Sequence, residues 1–202
     1  MVDNLKHDFV TTELDPAILA TPFGVQTNWH VITGGPCSGK TTLIDQLADK
    51  GFQTVPETAR LYMEEEIAKG RTVEEIREDV DALERGLIAM QLSFERELQV
   101  TDVAFLDRGL PDGLTYCRVA GMNPNEILLE CFHYRYASIF ILDRLPIQRD
   151  DIRIEDEATA GLLEEWLVRD YSALGYEVVR VPVLSPEDRL AFILERCTEK
   201  PL

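Results

Sequence analysis

The chain has 202 residues, 45% of them apolar and 28% charged, and a formal net charge of −17. That is the composition of an ordinary globular domain, large enough to bury a sizeable core. The acid excess excludes a general nucleic-acid binder, which needs basic surface to displace counterions, but not a nucleotide held by a local cluster of amides and cations.

Residues 1–27 show little periodicity, and Pro16, Pro22 and Gly24 break any long element. They read as an N-terminal arm that packs on the domain or, in a homodimer, on a second subunit; the domain proper spans 28–202. The opening stretch "MVDNLKHDFVTTELDP" lacks the apolar core of a secretory signal, and no apolar run reaches the roughly 18 residues of a membrane span. The expectation is a cytoplasmic protein with no membrane partner. From Trp29 the pattern alternates. "WHVIT" reads as a buried strand, Gly39 to Lys50 as a helix, "FQTVP" as a second strand, and Glu57 to Ala68 as a helix stopping at Gly70. Val80, Leu83, Leu87, Phe94 and Leu98 mark one face of a long helix.

"VAFLD" is a third strand, followed by short helices around Leu114 to Val119 and Pro124 to Tyr134. "SIFIL" is a fourth strand, Glu157 to Leu174 a helix and "YEVVRVP" a fifth strand. "SPEDRLAFILERC" closes the chain as a helix capped by Ser185. Buried strands alternating with helices predict an α/β fold, a parallel sheet covered on both faces in three layers. The four cysteines, Cys37, Cys117, Cys131 and Cys197, form no Cys-x-x-Cys pair, which favours reduced, buried thiols over a metal or redox site. The acid excess is expected on solvated helix faces such as "MEEEIAKGRTVEEIREDVDALER".

Gly34-x-x-x-x-Gly39-Lys40-Thr41 fits the Walker A pattern, with a strand leading in and a helix leading out. Gly34, Gly35, Pro36, Cys37, Ser38, Gly39, Lys40, Thr41 and Thr42 are the candidate nucleotide-binding stretch, where amides and the helix N-terminus converge on phosphates. Lys40 is expected to reach the outer phosphates of ATP, and the Thr41 hydroxyl to serve Mg²⁺. Asp107 ends the third strand at the carboxyl edge of the sheet, where ligands of open α/β sheets sit. It is placed to bind Mg²⁺ or to accept a substrate proton.

"VPETAR" puts Glu57 and Arg60 on that same edge, and "LDRG" adds Arg108. A kinase needs a carboxylate to orient the acceptor and cations to hold charge on the transferred group, so these three are the candidate substrate-binding residues. Asp112 is equally explained as the start of a helix, and Gln91 on the long helix, a candidate to face an acceptor, is better explained as solvated or at the core edge. Between the fourth strand and its helix, Arg144, Arg149 and Arg153 lie among acidic residues. A segment here, about 144–157, is expected to act as a lid, with Arg149 and Arg153 the better candidates to reach phosphates and closure excluding water.

"VITGGPCSGKTT", "VPETAR", "FLDRGLPDG", "RDDIRIEDE" and "GYEVVRVP" together resemble the P-loop ATPase family often called AAA-type. That family is related to the ribosylnicotinamide kinase domain of the NadR regulator and to nucleoside and nucleotide kinases. The resemblance runs from about Trp29 to the C-terminus. It implies a P-loop NTPase fold with a five-stranded parallel sheet in the order 2-3-1-4-5. It also implies that Lys40 and Thr41 serve phosphates and Mg²⁺, that Glu57 and Asp107 are the catalytic carboxylates, and that Arg153 is the lid arginine.

The expected function is therefore an ATP-dependent phosphotransferase acting on a nucleoside, a nucleotide or a similarly sized alcohol, with Lys40, Glu57, Asp107 and Arg153 as catalytic residues. The alternative is a nucleotide-dependent ATPase or switch that acts on a protein partner.

Overall fold

A computed structural model describes residues 9–145 and 157–198. In chain order it comprises α1 (Pro16–Leu19), β1 (Val25–Gln26), β2 (Trp29–Thr33), α2 (Lys40–Asp49), β3 (Gln53–Val55) and α3 (Thr58–Ala68). Next come α4 (Val73–Glu78), α5 (Val80–Glu97), β4 (Ala104–Asp107), α6 (Asp112–Val119) and α7 (Asn125–Leu128). A 3-10 turn (Leu129–Phe132), β5 (Tyr134–Arg135), β6 (Ser138–Leu142), α8 (Glu157–Ala173), β7 (Val178–Val181) and α9 (Pro186–Thr198) complete it.

The main sheet is parallel, in the order β3-β4-β2-β6-β7, which is 2-3-1-4-5 among its own strands. Its centre is β2, where all five residues are buried. Alternate side chains feed two cores, as a sheet covered on both faces requires. Trp29, Val31, Ala104, Leu106 and Ile139 belong to one core, and Ile32, Phe105, Phe140, Leu142 and Val181 to the other. Helices α2 and α9 touch on one side of the sheet, and α6 and α8 on the other. None of the described helices is long and apolar enough to cross a membrane.

Four expectations change. The buried residues of α5 are Ile88, Gln91, Leu92 and Glu95; of the expected stripe Leu98, just past the helix, is buried and Phe94 packs partly on the core, while Val80 is exposed. The two stripes differ by one residue, about 100° of helix, because the inward face carries hydrogen-bonded polar groups that a purely apolar pattern overlooks. Second, the helix expected over Pro124 to Tyr134 ends early, and Tyr134–Arg135 instead pairs in parallel with Val25–Gln26. Third, α4 was not anticipated, although Thr72 and Glu75 close a reciprocal capping box at its start. Fourth, Cys117 and Cys131 are buried as expected, whereas Cys37 is exposed in the phosphate loop; none of the four forms a disulfide.

Residues 9–27 pack on the domain of their own chain. Leu14 lies in the first core, and the Val10 amide donates to the Arg118 carbonyl at 3.0 Å. Arg118 is fully buried and forms a bidentate pair with Asp170, Nε to Oδ2 at 3.1 Å and Nη2 to Oδ1 at 2.9 Å. Its Nη1 donates to the carbonyls of Val10 and Thr12, at 3.3 and 2.6 Å. Ser185 caps α9, its hydroxyl accepting from the Asp188 amide at 3.1 Å.

Candidate active site at the carboxyl edge of the sheet

The loop from Gly34 to Gly39 joins the central strand to α2. Its backbone needs glycine at both ends: Gly34 has φ 142°, and a Cβ there would stand 2.8 Å from the Leu142 carbonyl oxygen. Gly39 caps α2 at φ 87°, a left-handed conformation that L side chains rarely adopt. Lys40 folds back over the loop, its Nζ donating to the carbonyls of Gly34 and Gly35 at 3.0 and 2.9 Å and to Ser38 Oγ at 3.3 Å. Burial, helped by the Arg108 charge, lowers its pKa to about 8, against the pull of Asp107, Glu57 and Asp112. Thr41 and Thr42 are exposed on the first turn of α2.

An arginine that the sequence pattern does not assign to the loop holds it, and a second lies beside it. Arg189 of α9, 2% exposed, donates Nη1 to the Ser38 carbonyl at 2.6 Å, Nη2 to the Asp143 carbonyl at 2.8 Å and Nε to the Pro182 carbonyl at 2.9 Å. One guanidinium thereby ties the loop to the ends of β6 and β7. Arg144 lies alongside Gly35, its Cδ 3.5 Å from where a Cβ would stand. A single arginine beside the apolar residues of a closing helix carries no sequence signal for such a clamp.

Asp107 ends β4, 2% exposed. Burial raises its pKa to about 6, while Lys40 and Arg108 pull it back. Its Oδ1 is buried without a hydrogen-bond partner. A carboxylate oxygen with no protein donor beside a phosphate loop fits a divalent cation, and Thr41 offers a hydroxyl at the start of α2. Among the described residues no cluster of three or more His, Cys, Asp or Glu is set for a metal. A cation here would take most of its ligands from phosphate oxygens and water.

The residue after Asp107 turns the chain toward the neighbouring cleft. Arg108 has φ 74°, uncommon for a side chain of this size. Its amide donates to the Ile32 carbonyl at 3.0 Å. Nη1 lies 3.2 Å from Asp112 Oδ1 and 3.4 Å from the Gly34 carbonyl, Nε lies 3.6 Å from Glu57 Oε1, and the guanidinium stands 4.9 Å from the Tyr116 ring centroid. Asp112 anchors this turn. It accepts from Thr33 Oγ1, from the Gly109 amide at 3.1 Å and from Tyr171 Oη at 2.5 Å. Its role is to hold the edge of β2, the turn after β4 and α8 together.

Arg108 forms one wall of a cleft of about 580 Å³, its open mouth included. Glu57, Thr58 and Gln91 supply polar lining, and Leu87, Ile88, Leu110 and Tyr116 an apolar one. Glu57 stands at the N-cap of α3 yet makes no side-chain cap hydrogen bond, so its carboxylate is not spent on the helix. Gln91 is fixed: Thr58 Oγ1 donates to its Oε1 at 2.5 Å, and its Nε2 donates to Glu95 Oε1 at 2.9 Å. The expectation of a solvated or core-edge Gln91 gives way to a buried residue of the cleft wall.

Arg60 does not join the group. It lies outside the cleft lining, with its side chain 75% exposed and its Nε 3.0 Å from Glu64 Oε1 one turn along α3. The helix that carries Glu57 and Thr58 inward turns Arg60 outward. Tyr116 is the aromatic residue of the cleft lining. Arg149, Arg153 and most of the expected lid lie outside the described residues.

The sheet order and the loop fix the class: this is a P-loop protein built on the nucleoside and nucleotide kinase fold. NadR in complex with NR is similar over 87% of this chain, at 21% identity and a TM-score of 0.61. Deoxyadenosine kinase from M. mycoides with bound dATP is similar over 84% of this chain and 99% of its own, at 14% identity and a TM-score of 0.51. Shikimate kinase from Aquifex aeolicus is similar over 85% and 96%, at 16% identity and a TM-score of 0.50. At these identities the likeness is one of fold. The chain spans about half of the NadR chains it matches, 53% and 51%. A family model described as an AAA domain matches residues 29–189, and the chain belongs to that family. No curated protein matches it.

Proposed function

We propose that the protein is an ATP-dependent phosphotransferase for a small molecule, with the donor on the phosphate loop and the acceptor in the cleft beside Glu57. The observation that carries this reading is the reach of Arg108. One guanidinium lies 3.4 Å from the Gly34 carbonyl of the loop and 3.6 Å from Glu57 in the cleft. A group transferred between the two sites would pass beside it. The proteins of similar fold support the class of reaction, since they include a deoxyadenosine kinase and a shikimate kinase.

For a hydroxyl acceptor, the oxygen attacks the γ-phosphorus, the bond from that phosphorus to the β–γ bridging oxygen breaks, and ADP leaves with the electron pair. The hydroxyl proton passes to the Glu57 carboxylate. Lys40 holds charge on the transferred group, and the loop amides hold the donor still. Mg²⁺, held by Asp107 and Thr41, would neutralise charge on the outer phosphates. Arg153 and Arg149 are proposed to cover the donor.

Incubation with ATP, Mg²⁺ and a panel of nucleosides, nucleotides and small alcohols tests this. ADP release that depends on an acceptor, with a matching phosphorylated product, is expected. ADP release indifferent to every acceptor and stimulated by a protein partner would instead favour an ATPase or switch.

A further inference from the structure

We infer that the cleft takes an acceptor bearing no phosphate, a neutral nucleoside-sized alcohol and not a nucleoside monophosphate. The inference rests on the phosphotransfer reading for what the cleft is used for, and on the charges of the cleft wall for which acceptor fits.

Among the described residues that line the cleft, the only cation is Arg108, facing the carboxylates of Glu57 and Asp112. The guanidinium is already engaged: 3.2 Å from Asp112, 3.6 Å from Glu57, 3.4 Å from the Gly34 carbonyl, with its side chain 16% exposed. Its face is turned to the Tyr116 ring at 4.9 Å. Phosphate monoesters are normally gripped by several charge-assisted donors, often a bidentate arginine. Here a dianionic phosphate would compete with two carboxylates for one occupied arginine, in a half-buried place where like charges repel more than in water. Arg60, the next basic side chain along α3, is outside the cleft and paired with Glu64.

Further acid stands close by. Glu84, one turn before Ile88 on α5, is half-buried and adds another carboxyl to the electrostatic surroundings of Arg108 and Tyr116. Burial holds its pKa up at about 7. Leu87, Ile88, Leu110 and the Tyr116 ring offer an apolar surface for a flat body. Glu57 leaves its carboxylate for a hydroxyl. A neutral acceptor brings no charge against these carboxylates, whereas a phosphorylated one opposes them.

The test is calorimetric titration of the full chain, with Mg²⁺ and a non-hydrolysable ATP analogue present. The probes are adenosine, guanosine, cytidine and thymidine, each compared with its own 5′-monophosphate. At least one nucleoside is expected to bind about tenfold or more tightly than its monophosphate. In Leu87→Arg, which adds a second guanidinium to the wall, that ratio is expected to shrink by about tenfold or more. A monophosphate that binds as tightly as its nucleoside in the natural chain, or binding of neither, overturns the inference. Turnover with MgATP separates the two ideas. Transfer onto a monophosphate would overturn the charge argument and leave the phosphotransfer reading intact. Nucleoside binding without any phosphorylated product would do the reverse.

Discussion

In the proposed reaction Lys40 serves the donor and Glu57 the acceptor, and single substitutions should separate the two. Lys40 hydrogen-bonds to two loop carbonyls and the Ser38 hydroxyl, so Lys40→Ala should weaken ATP binding by about tenfold or more. Glu57 makes no cap bond and faces the cleft, so Glu57→Gln should leave ATP affinity within about twofold while lowering acceptor-dependent turnover by about 10²–10⁴. Nucleotide titration and steady-state rates on the same two proteins check both statements. Much of this was legible in the sequence. Glycine spacing fixed the loop, and Asp107 followed from a run of apolar residues ending in an acid. Arg60 was misplaced because strand-end position says nothing about which way the first turn of the next helix faces. Arg189 was missed because its partners are backbone carbonyls from three separate segments, and carbonyls leave no mark in a sequence.

Among the elements, α5 carries the largest departure from simple patterning. Its buried stripe includes Gln91 and Glu95, which belong to a chain of hydrogen bonds from Thr58 through Gln91 and Glu95 to Tyr136 and the Leu110 amide. Burial raises the Glu95 carboxyl to about 7 from an ordinary value of 4.5, with the bonds from Gln91 and Tyr136 opposing the rise. The folded chain therefore holds this proton over a range where the unfolded chain has lost it. Stability from Glu95 is full below about pH 4.5, falls as pH rises toward 7, and is level above that. Urea unfolding at pH 5 and pH 8 should show Glu95→Gln gaining stability relative to the natural chain at the higher pH. A Glu95→Gln effect equal at both values would contradict the burial argument. The long helix itself was legible from its apolar period; its rotation was not, because hydrogen-bonded polar residues inside a core look like surface residues in a pattern. The two-residue pairing of β1 with β5 was equally hidden, since so short a ladder exists only through tertiary contact.

For the whole molecule, much of the acid excess lies on solvated helices; Glu95, Asp107, Asp112, Asp170 and Glu66 are buried, the last between Lys69 and Arg71 at 2.7 and 2.9 Å. The segment 9–14 is fastened to α6 and α8 through the buried Arg118–Asp170 pair, so it belongs to the same folding unit as the sheet. Arg118→Met would strand a buried carboxylate and is expected to cost about 3–5 kcal/mol of stability, measurable by denaturant titration. The parallel sheet, its two cores and the position of the loop were predictable because buried strands alternating with helices leave few arrangements. The cleft was only half legible, since its wall comes from α3, α5 and α6, whose mutual placement is set by packing. The most direct measurement of the central claim is transfer of label from γ-labelled ATP by the purified full chain, with Mg²⁺ and nucleosides. The account predicts label on an acceptor, abolished by Glu57→Gln. Label appearing solely as inorganic phosphate, at a rate unchanged by every acceptor and by Glu57→Gln, would contradict it.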